Sequence, residues 1–260
     1  MLYLFKELDL SESFVLKGSG FTEKNEKNIL VIIPAFNEEK NLEKVVGKLT
    51  EEHPQYDYVV INDGSLDGTA KICKNNNYNY IDLPVNLGIG GAVQCGFIYA
   101  KQRGYDVAVQ IDGDGQHNPE FIDRMICVLE KQSVNMVIGS RFIEKQGFQS
   151  SALRRIGINL IRIVIYLVCK VRITDATSGF RAVDRQLINL FAENYAQDYP
   201  EPESVVLAGL NNLKVHEIPV IMNERQGGKS SINAISSVYY IFKVILALVI
   251  CRMSKGRKNV

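Results

Sequence analysis

Asp112-Gly113-Asp114-Gly115-Gln116-His117 sets two carboxylates one residue apart, each followed by a glycine. The run Tyr105 to Ile111 before it reads as a buried strand, so both acids fall at a strand's C-terminal end. Open α/β sheets hold their ligands at that edge. From one loop the two acids can reach a single divalent cation. Mg²⁺ and Mn²⁺ prefer oxygen donors and commonly share their shell with substrate phosphates. The chemistry suggested is metal-assisted handling of a diphosphate. An Asp-x-Asp alone reads more simply as a solvated turn, so the weight falls on what surrounds it.

Three other strand ends carry comparable residues. Ile29 to Ile33 is a continuous apolar, β-branched run, as in a strand buried on both faces, and Pro34-Ala35-Phe36-Asn37-Glu38-Glu39 follows it. Tyr58 to Ile61 leads into Asn62-Asp63-Gly64-Ser65, and Tyr78 to Leu83 into Asn86-Leu87-Gly88-Ile89-Gly90-Gly91. The spacing predicts helices over about 40–51, from Asp67 onward, over 88–102 and over 119–131, with a further strand at 134–139. Strands alternating with helices predict an α/β fold with a mostly parallel, doubly wound sheet. In such a sheet all four loops meet at one edge. Turn chemistry explains any one of them but not four together.

The 260 residues can hold one large domain or two small ones, and 46% hydrophobic content supports a core. A net charge of +1 argues against a nucleic-acid partner. The five cysteines form no Cys-x-x-Cys and lie in apolar segments, which predicts reduced core thiols. Three scattered histidines give no zinc spacing. No signal peptide is expected at the start. Residues 1–28 read as an N-terminal extension with a flexible linker, 29–231 as the catalytic domain, and 232–260 as an apolar helix with a basic tail.

After residue 150 the pattern changes. Leu153 to Arg172 mixes aliphatic residues with five cations and is too charged to span a bilayer; it suits a helix lying on an anionic membrane surface, or a buried helix with arginines at its rim. Ile232 to Ile250 is apolar apart from Lys243 and ends in Arg252, Lys255, Arg257 and Lys258. A central Lys disfavours insertion by about 2.5–3.5 kcal/mol, so an interfacial helix is expected rather than a span.

The motifs V-I-I-P-A-F-N-E-E, V-I-N-D-G-S-L-D-G-T, N-L-G-I-G-G-A, D-G-D-G-Q-H-N-P-E, G-S-R-F, T-S-G-F-R-A and R-Q-G-G-K-S-S-I together resemble the inverting glycosyltransferases of family 2, over about Ile29 to Ile232. Within that family the chain looks most like the dolichol- or polyprenyl-phosphate sugar synthases. The resemblance implies a GT-A, nucleotide-diphospho-sugar transferase fold. It also implies a UDP- or GDP-sugar donor, a polyprenyl phosphate acceptor, Mg²⁺ or Mn²⁺ as cofactor, and a place on the cytoplasmic membrane face.

By position, Pro34, Phe36 and Glu38 would frame the base and ribose, Asp63 would accept from them, and Asn86 and Gly88 would line the nucleotide pocket. Asp112 would touch ribose or sugar, while Asp114 and Gln116 would hold the metal. Arg141 and Arg181 are candidate phosphate or acceptor contacts. Arg225 and Lys229, beside Gly227-Gly228, would close over the diphosphate. Hydroxyl-glycosylating members commonly carry a Glu-Asp pair before the last helix, with Asp as base. Here that region reads Tyr199-Pro200-Glu201-Pro202-Glu203, leaving Glu201 or Glu203 as base candidates. A lipid phosphate is already ionised near neutral pH and needs no strong base, which agrees with the missing pair. Two alternatives stand beside this reading: extension of a cell-surface polysaccharide on a hydroxyl, and a catalytically silent nucleotide-sugar-binding scaffold at the membrane. The intact metal-site and R-Q-G-G-K-S-S motifs argue against the scaffold.

Overall fold

The computed structural model describes residues 27–144, 152–223 and 234–256. The strands are β1 (Ile29–Ala35), β2 (Asp57–Asn62), β3 (Tyr80–Asp82), β4 (Val107–Gln110), β5 (Met136–Ser140), β6 (Arg181–Asp184) and β7 (Val215–Pro219). The helices are α1 (Leu42–Glu52), α2 (Thr69–Asn75), α3 (Gly88–Arg103), α4 (Ile122–Lys131), α5 (Ala152–Cys169), α6 (Arg185–Glu193), α7 (Pro200–Leu210) and α8 (Ala234–Gly256). The sheet runs β3-β2-β1-β4-β6-β5-β7.

The apolar run of β1 is explained by its surroundings. Leu30 and Ile32 face one core and Val31 and Ile33 the other, so neither face can carry polar residues. On the first side pack α3, α5, α6, α7 and α8, with Phe97, Phe191 and Tyr195 forming an aromatic cluster at centroid separations of 5.1–5.3 Å. On the second side lie α1, α2 and α4. Gly96 of α3 sits so close to Ile32 that a Cβ would overlap that side chain, which draws the helix onto β1 and fixes the start of α3 at the sheet edge.

β1, β2, β3 and β4 are mutually parallel in register, so their C-terminal ends do meet at one edge. The sheet is mixed: β6 runs antiparallel to both β4 and β5. β6 is only Arg-Ala-Val-Asp, too short for periodicity to reveal, and α5 with the loop after it brings the chain back to the sheet in the reverse sense. The antiparallel strand has a consequence: it carries Arg181 to the same edge as Gln110, its register partner at the end of β4.

α5 and α8 pack on the first core through Ile161, Ile165, Val244 and Leu248. Their outer sides are apolar as well. Ten of the sixteen large hydrophobic side chains exposed among the described residues lie on these two helices, so the exposed apolar surface is concentrated there. Among the described residues no helix is long and apolar enough to cross a membrane. The cysteines are free thiols, and burial pushes Cys73 and Cys95 up to about 12, which leaves them unreactive.

Candidate functional site

The four loops enclose a cleft of about 330 Å³, lined among others by Pro34, Phe36, Glu38, Asp63, Asn86, Gly88, Asp112 and Asp114. Its walls are stitched together by side chains. The Glu38 amide donates to Thr69 Oγ1 at 2.9 Å, and the Glu38 carboxylate accepts from Asn41 Nδ2 at 2.7 Å. Asp63 Oδ1 accepts from the Leu87 amide at 2.7 Å, and Asn86 Nδ2 donates to the Asp63 carbonyl at 3.1 Å. These bonds lock the loop after β2 to the loop after β3. Gly64, at φ +63°, permits the approach, since a Cβ there would collide with the Asn86 amide nitrogen. Burial raises the Asp63 carboxyl above its ordinary value, while the Leu87 and Gly88 amides pull it back down. Phe36 leaves 45% of its surface exposed at the cleft, an apolar ring against which a planar base can stack.

Asp112 and Asp114 lie on the cleft's inner wall. Gln110 Nε2 donates to Asp112 Oδ1 at 3.3 Å, and the Asp112 amide donates to His117 Nδ1 at 3.0 Å. That bond puts the neutral His117 proton on Nε2, which lies 3.6 Å from Asp112 Oδ2. His117 is itself stacked on Phe180 at 5.0 Å, so the ring braces the loop. Asp114 Oδ1 accepts from the Gln116 amide at 3.0 Å, and Gly115 makes the turn at φ +78°. The Gln116 carboxamide has no hydrogen-bond partner among the described residues. Asp114, Asp112 and Gln116 therefore supply hard oxygen donors from one loop, which fits a Mg²⁺ or Mn²⁺ ion. No group of three His, Cys, Asp or Glu side chains gathers into a closed metal site among the described residues. An ion here would share its shell with a substrate diphosphate.

Beyond Asp112 lies a buried charge network. Arg141 grips Asp175 with a fork: Nε to Oδ2 at 2.7 Å and Nη2 to Oδ1 at 2.8 Å, with Thr177 Oγ1 accepting from Nη2 at 2.9 Å. Asp175 is fully buried, and its loop is pinned in turn by Glu217 of β7, whose carboxylate accepts from the Thr174 and Asp175 amides. Arg181 is 3% exposed; it donates to the Ser178 carbonyl at 2.8 Å and to Ser204, and its Nη2 has no partner among the described residues. This placement makes Arg181 a cation beneath the floor rather than one that reaches solvent, and burial lowers its affinity for the proton.

Glu201 and Glu203 part company. Burial raises the Glu201 carboxyl; Arg181 and Arg141 act against that rise and Asp112 with it, so Glu201 belongs to the charge network beside the cleft. Glu203 instead feels Asp198, and burial pushes it up to about 7; it takes no part in the cleft. A carboxyl raised in the folded chain binds a proton that the unfolded chain releases near pH 4.5, so stability falls as pH rises through about 7. Glu203→Gln removes that titration. The variant is expected to melt above the wild type at pH 8 and to match it at pH 5, as thermal scans at the two pH values will show.

Arg225 and Lys229 lie outside the described residues. Asn223, just before them, is tied to the Asp112–His117 loop: its amide donates to the Gln116 carbonyl at 2.9 Å. Asp175, Glu217 and His117 brace the site, and residue type and spacing assign none of them a role. The one signal for two of them is position: Asp175 lies two residues before the Thr-Ser-Gly-Phe-Arg motif, and His117 closes the Asp-x-Asp loop.

The α/β sheet with a carboxylate-lined cleft at the C-terminal edge of its parallel strands is of GT-A type, as its likeness to solved structures shows. Glucosyl-3-phosphoglycerate synthase from Mycobacterium tuberculosis, solved with Mn²⁺, UDP-glucose and phosphoglyceric acid, superimposes with a TM-score of 0.65 at 18% identity, covering 87% of this chain and 79% of that one. Residues 30–191 match the family model for glycosyl transferase family 2, and the chain belongs to that family. It is 30% identical over 252 residues to the UDP-N-acetylglucosamine–dolichyl-phosphate N-acetylglucosaminyltransferase of Methanococcus voltae, covering 88% of this chain and 98% of the relative. It is 29% identical over 234 residues to the polyprenol monophosphomannose synthase of Mycolicibacterium smegmatis, covering 86% and 88%. The protein is thus a family 2 glycosyltransferase.

Proposed function

We propose that the enzyme transfers a hexose, with inversion, from a UDP- or GDP-sugar to a polyprenyl phosphate at the cytoplasmic face of the membrane. The observation that carries this is where the apolar surface lies. α5 and α8 contain no carboxylate and expose aliphatic side chains, and α5 runs within a few residues into Asp175, the partner of Arg141. A lipid carrier lying against these helices would present its phosphate on the Arg141 side of the cleft. The names of the two relatives, both acting on dolichyl or polyprenyl carriers, support the same acceptor class.

In this mechanism Phe36, Asp63 and Asn86 hold the nucleoside, and Asp112 orients ribose or sugar. Asp114 and Gln116 would hold Mg²⁺ or Mn²⁺, which when bound offsets charge on the diphosphate. Arg141, fixed by Asp175, orients the acceptor phosphate; the ionised phosphate attacks the anomeric carbon from the face opposite the departing diphosphate. Most of the rate then comes from positioning and preorganised charge. No base is required, so Glu201→Gln should keep a substantial fraction of kcat with polyprenyl phosphate. A thousandfold collapse would make Glu201 the base and favour the hydroxyl acceptor of a growing polysaccharide.

A further inference from the structure

Arg162 and the exposed apolar stripe of α5 occupy different sides of the helix. Ile156, Leu160, Ile163 and Leu167 are exposed and follow one another at helical spacing. Ile158, Ile161 and Ile165, on the opposite face, are buried. Arg162 and Tyr166 lie along one flank of the stripe. After α5 the backbone turns at Lys170, with φ +63°, and returns Arg172 and Ile173 against that flank. Between them lies an open groove of about 560 Å³, with Ile163 and Ile173 as its apolar lining and Arg162, Tyr166 and Arg172 around it.

The guanidinium groups are held rather than loose. Arg162 Nε donates to the Ile173 carbonyl at 2.6 Å and Nη1 to Asn159 Oδ1 at 2.8 Å. Arg172 and Lys170 each sit 5.3 Å from the centre of the Tyr166 ring. Neither arginine has a carboxylate partner among the described residues, and the segment from Ser151 to Arg172 contains no acid at all. Two oriented arginines without counter-ions, beside an apolar trough and an exposed stripe, complement a phosphodiester carrying acyl chains. We propose that this groove seats the phosphate of an anionic phospholipid of the bilayer, with the acyl chains running along the exposed stripe; the inference rests on the membrane reading above. A bulk phospholipid fits better than the acceptor itself, because the groove shares no lining residue with the Asp112 cleft, which a reacting phosphate must reach. Arg172 is three residues from Asp175, so a seated lipid also steadies the loop that holds Arg141.

The test is co-sedimentation of the full-length protein with vesicles of three compositions: phosphatidylcholine alone, with phosphatidylglycerol, and with a trace of polyprenyl phosphate. Three variants are compared with the wild type: R162Q/R172Q, R162K/R172K and the stripe variant I156S/L167S. The wild type is expected to prefer phosphatidylglycerol vesicles. R162Q/R172Q should lose roughly thirty-fold of that preference, about five-fold per cation, while keeping its binding to phosphatidylcholine. R162K/R172K should keep most of it, which separates a charge effect from a folding defect. I156S/L167S should weaken binding to every vesicle. Full preference in R162Q/R172Q overturns the groove assignment while leaving the membrane reading intact, and so does a defect confined to polyprenyl phosphate vesicles, which would give the groove to the acceptor. Failure of the wild type to bind any vesicle sinks the membrane reading and this inference with it.

Discussion

Asp114→Asn is expected to abolish sugar transfer and leave the fold unchanged. The substitution keeps an oxygen able to accept from the Gln116 amide, the bond that shapes the turn, and alters nothing in β4. What it removes is the charge that would hold a divalent cation against the donor diphosphate. A loss on the order of 10³-fold, about 4 kcal/mol of transition-state stabilisation, is expected. The thermal midpoint should stay close to that of the wild type, and nucleoside diphosphate binding in the presence of Mn²⁺ should weaken in calorimetry. Full turnover in the variant, or in wild type treated with chelator, would remove Asp114 from the metal-binding role.

Arg141→Ala has the second large effect, and it falls on both stability and activity. Asp175 is fully buried, and its only cationic partner among the described residues is Arg141. Removing one member of a buried pair strands the other, at about 3–5 kcal/mol, so the variant should melt well below the wild type. Loss of the preorganised contact should cost a further 2–4 kcal/mol, roughly, in kcat/KM for the acceptor. The two effects separate in the double variant Arg141→Met/Asp175→Asn, in which no charge is left buried without its partner. Its melting temperature should recover most of the loss while transfer stays low. Recovery of both would mean that Arg141 serves the fold alone.

Much of this site is legible in the amino-acid sequence. β1, β2 and β4 are short apolar runs that lead into Phe-Asn-Glu-Glu, Asp-Gly-Ser or Asp-Gly-Asp-Gly, because both of their faces are covered and their C-terminal ends are open. That pattern alone puts Asp63, Asp112 and Asp114 at one edge. The roles of β6 and the loop before it are not legible. A four-residue strand has no period, and the antiparallel insertion that carries Arg181 beside Gln110 depends on how α5 returns the chain. The arginines also mislead as isolated letters. A lone surface ion pair is the ordinary expectation for Arg141 and Arg181, whereas both are buried, Arg141 against Asp175 and Arg181 over Ser204. Partners 23 and 34 residues distant leave no mark in local spacing. Glu201 and Glu203 look equivalent in sequence. The first turn of α7 separates them, turning Glu201 toward the Arg181 and Asp112 charges and Glu203 toward Asp198.

A phosphate acceptor and a hydroxyl acceptor demand different chemistry of this cleft, and the product tells them apart. The most direct measurement incubates the full-length protein with polyprenyl phosphate in detergent or vesicles, radiolabelled UDP- and GDP-sugars in turn, and Mn²⁺ or Mg²⁺. The reactions are then extracted into organic solvent and the label counted. One labelled donor should deliver sugar to the lipid phase as a polyprenyl monophosphate sugar of inverted anomeric configuration, only with the divalent cation present, and not with Asp114→Asn. Label that stays out of the lipid phase for every donor, while entering a polysaccharide acceptor in the same assay, would contradict it.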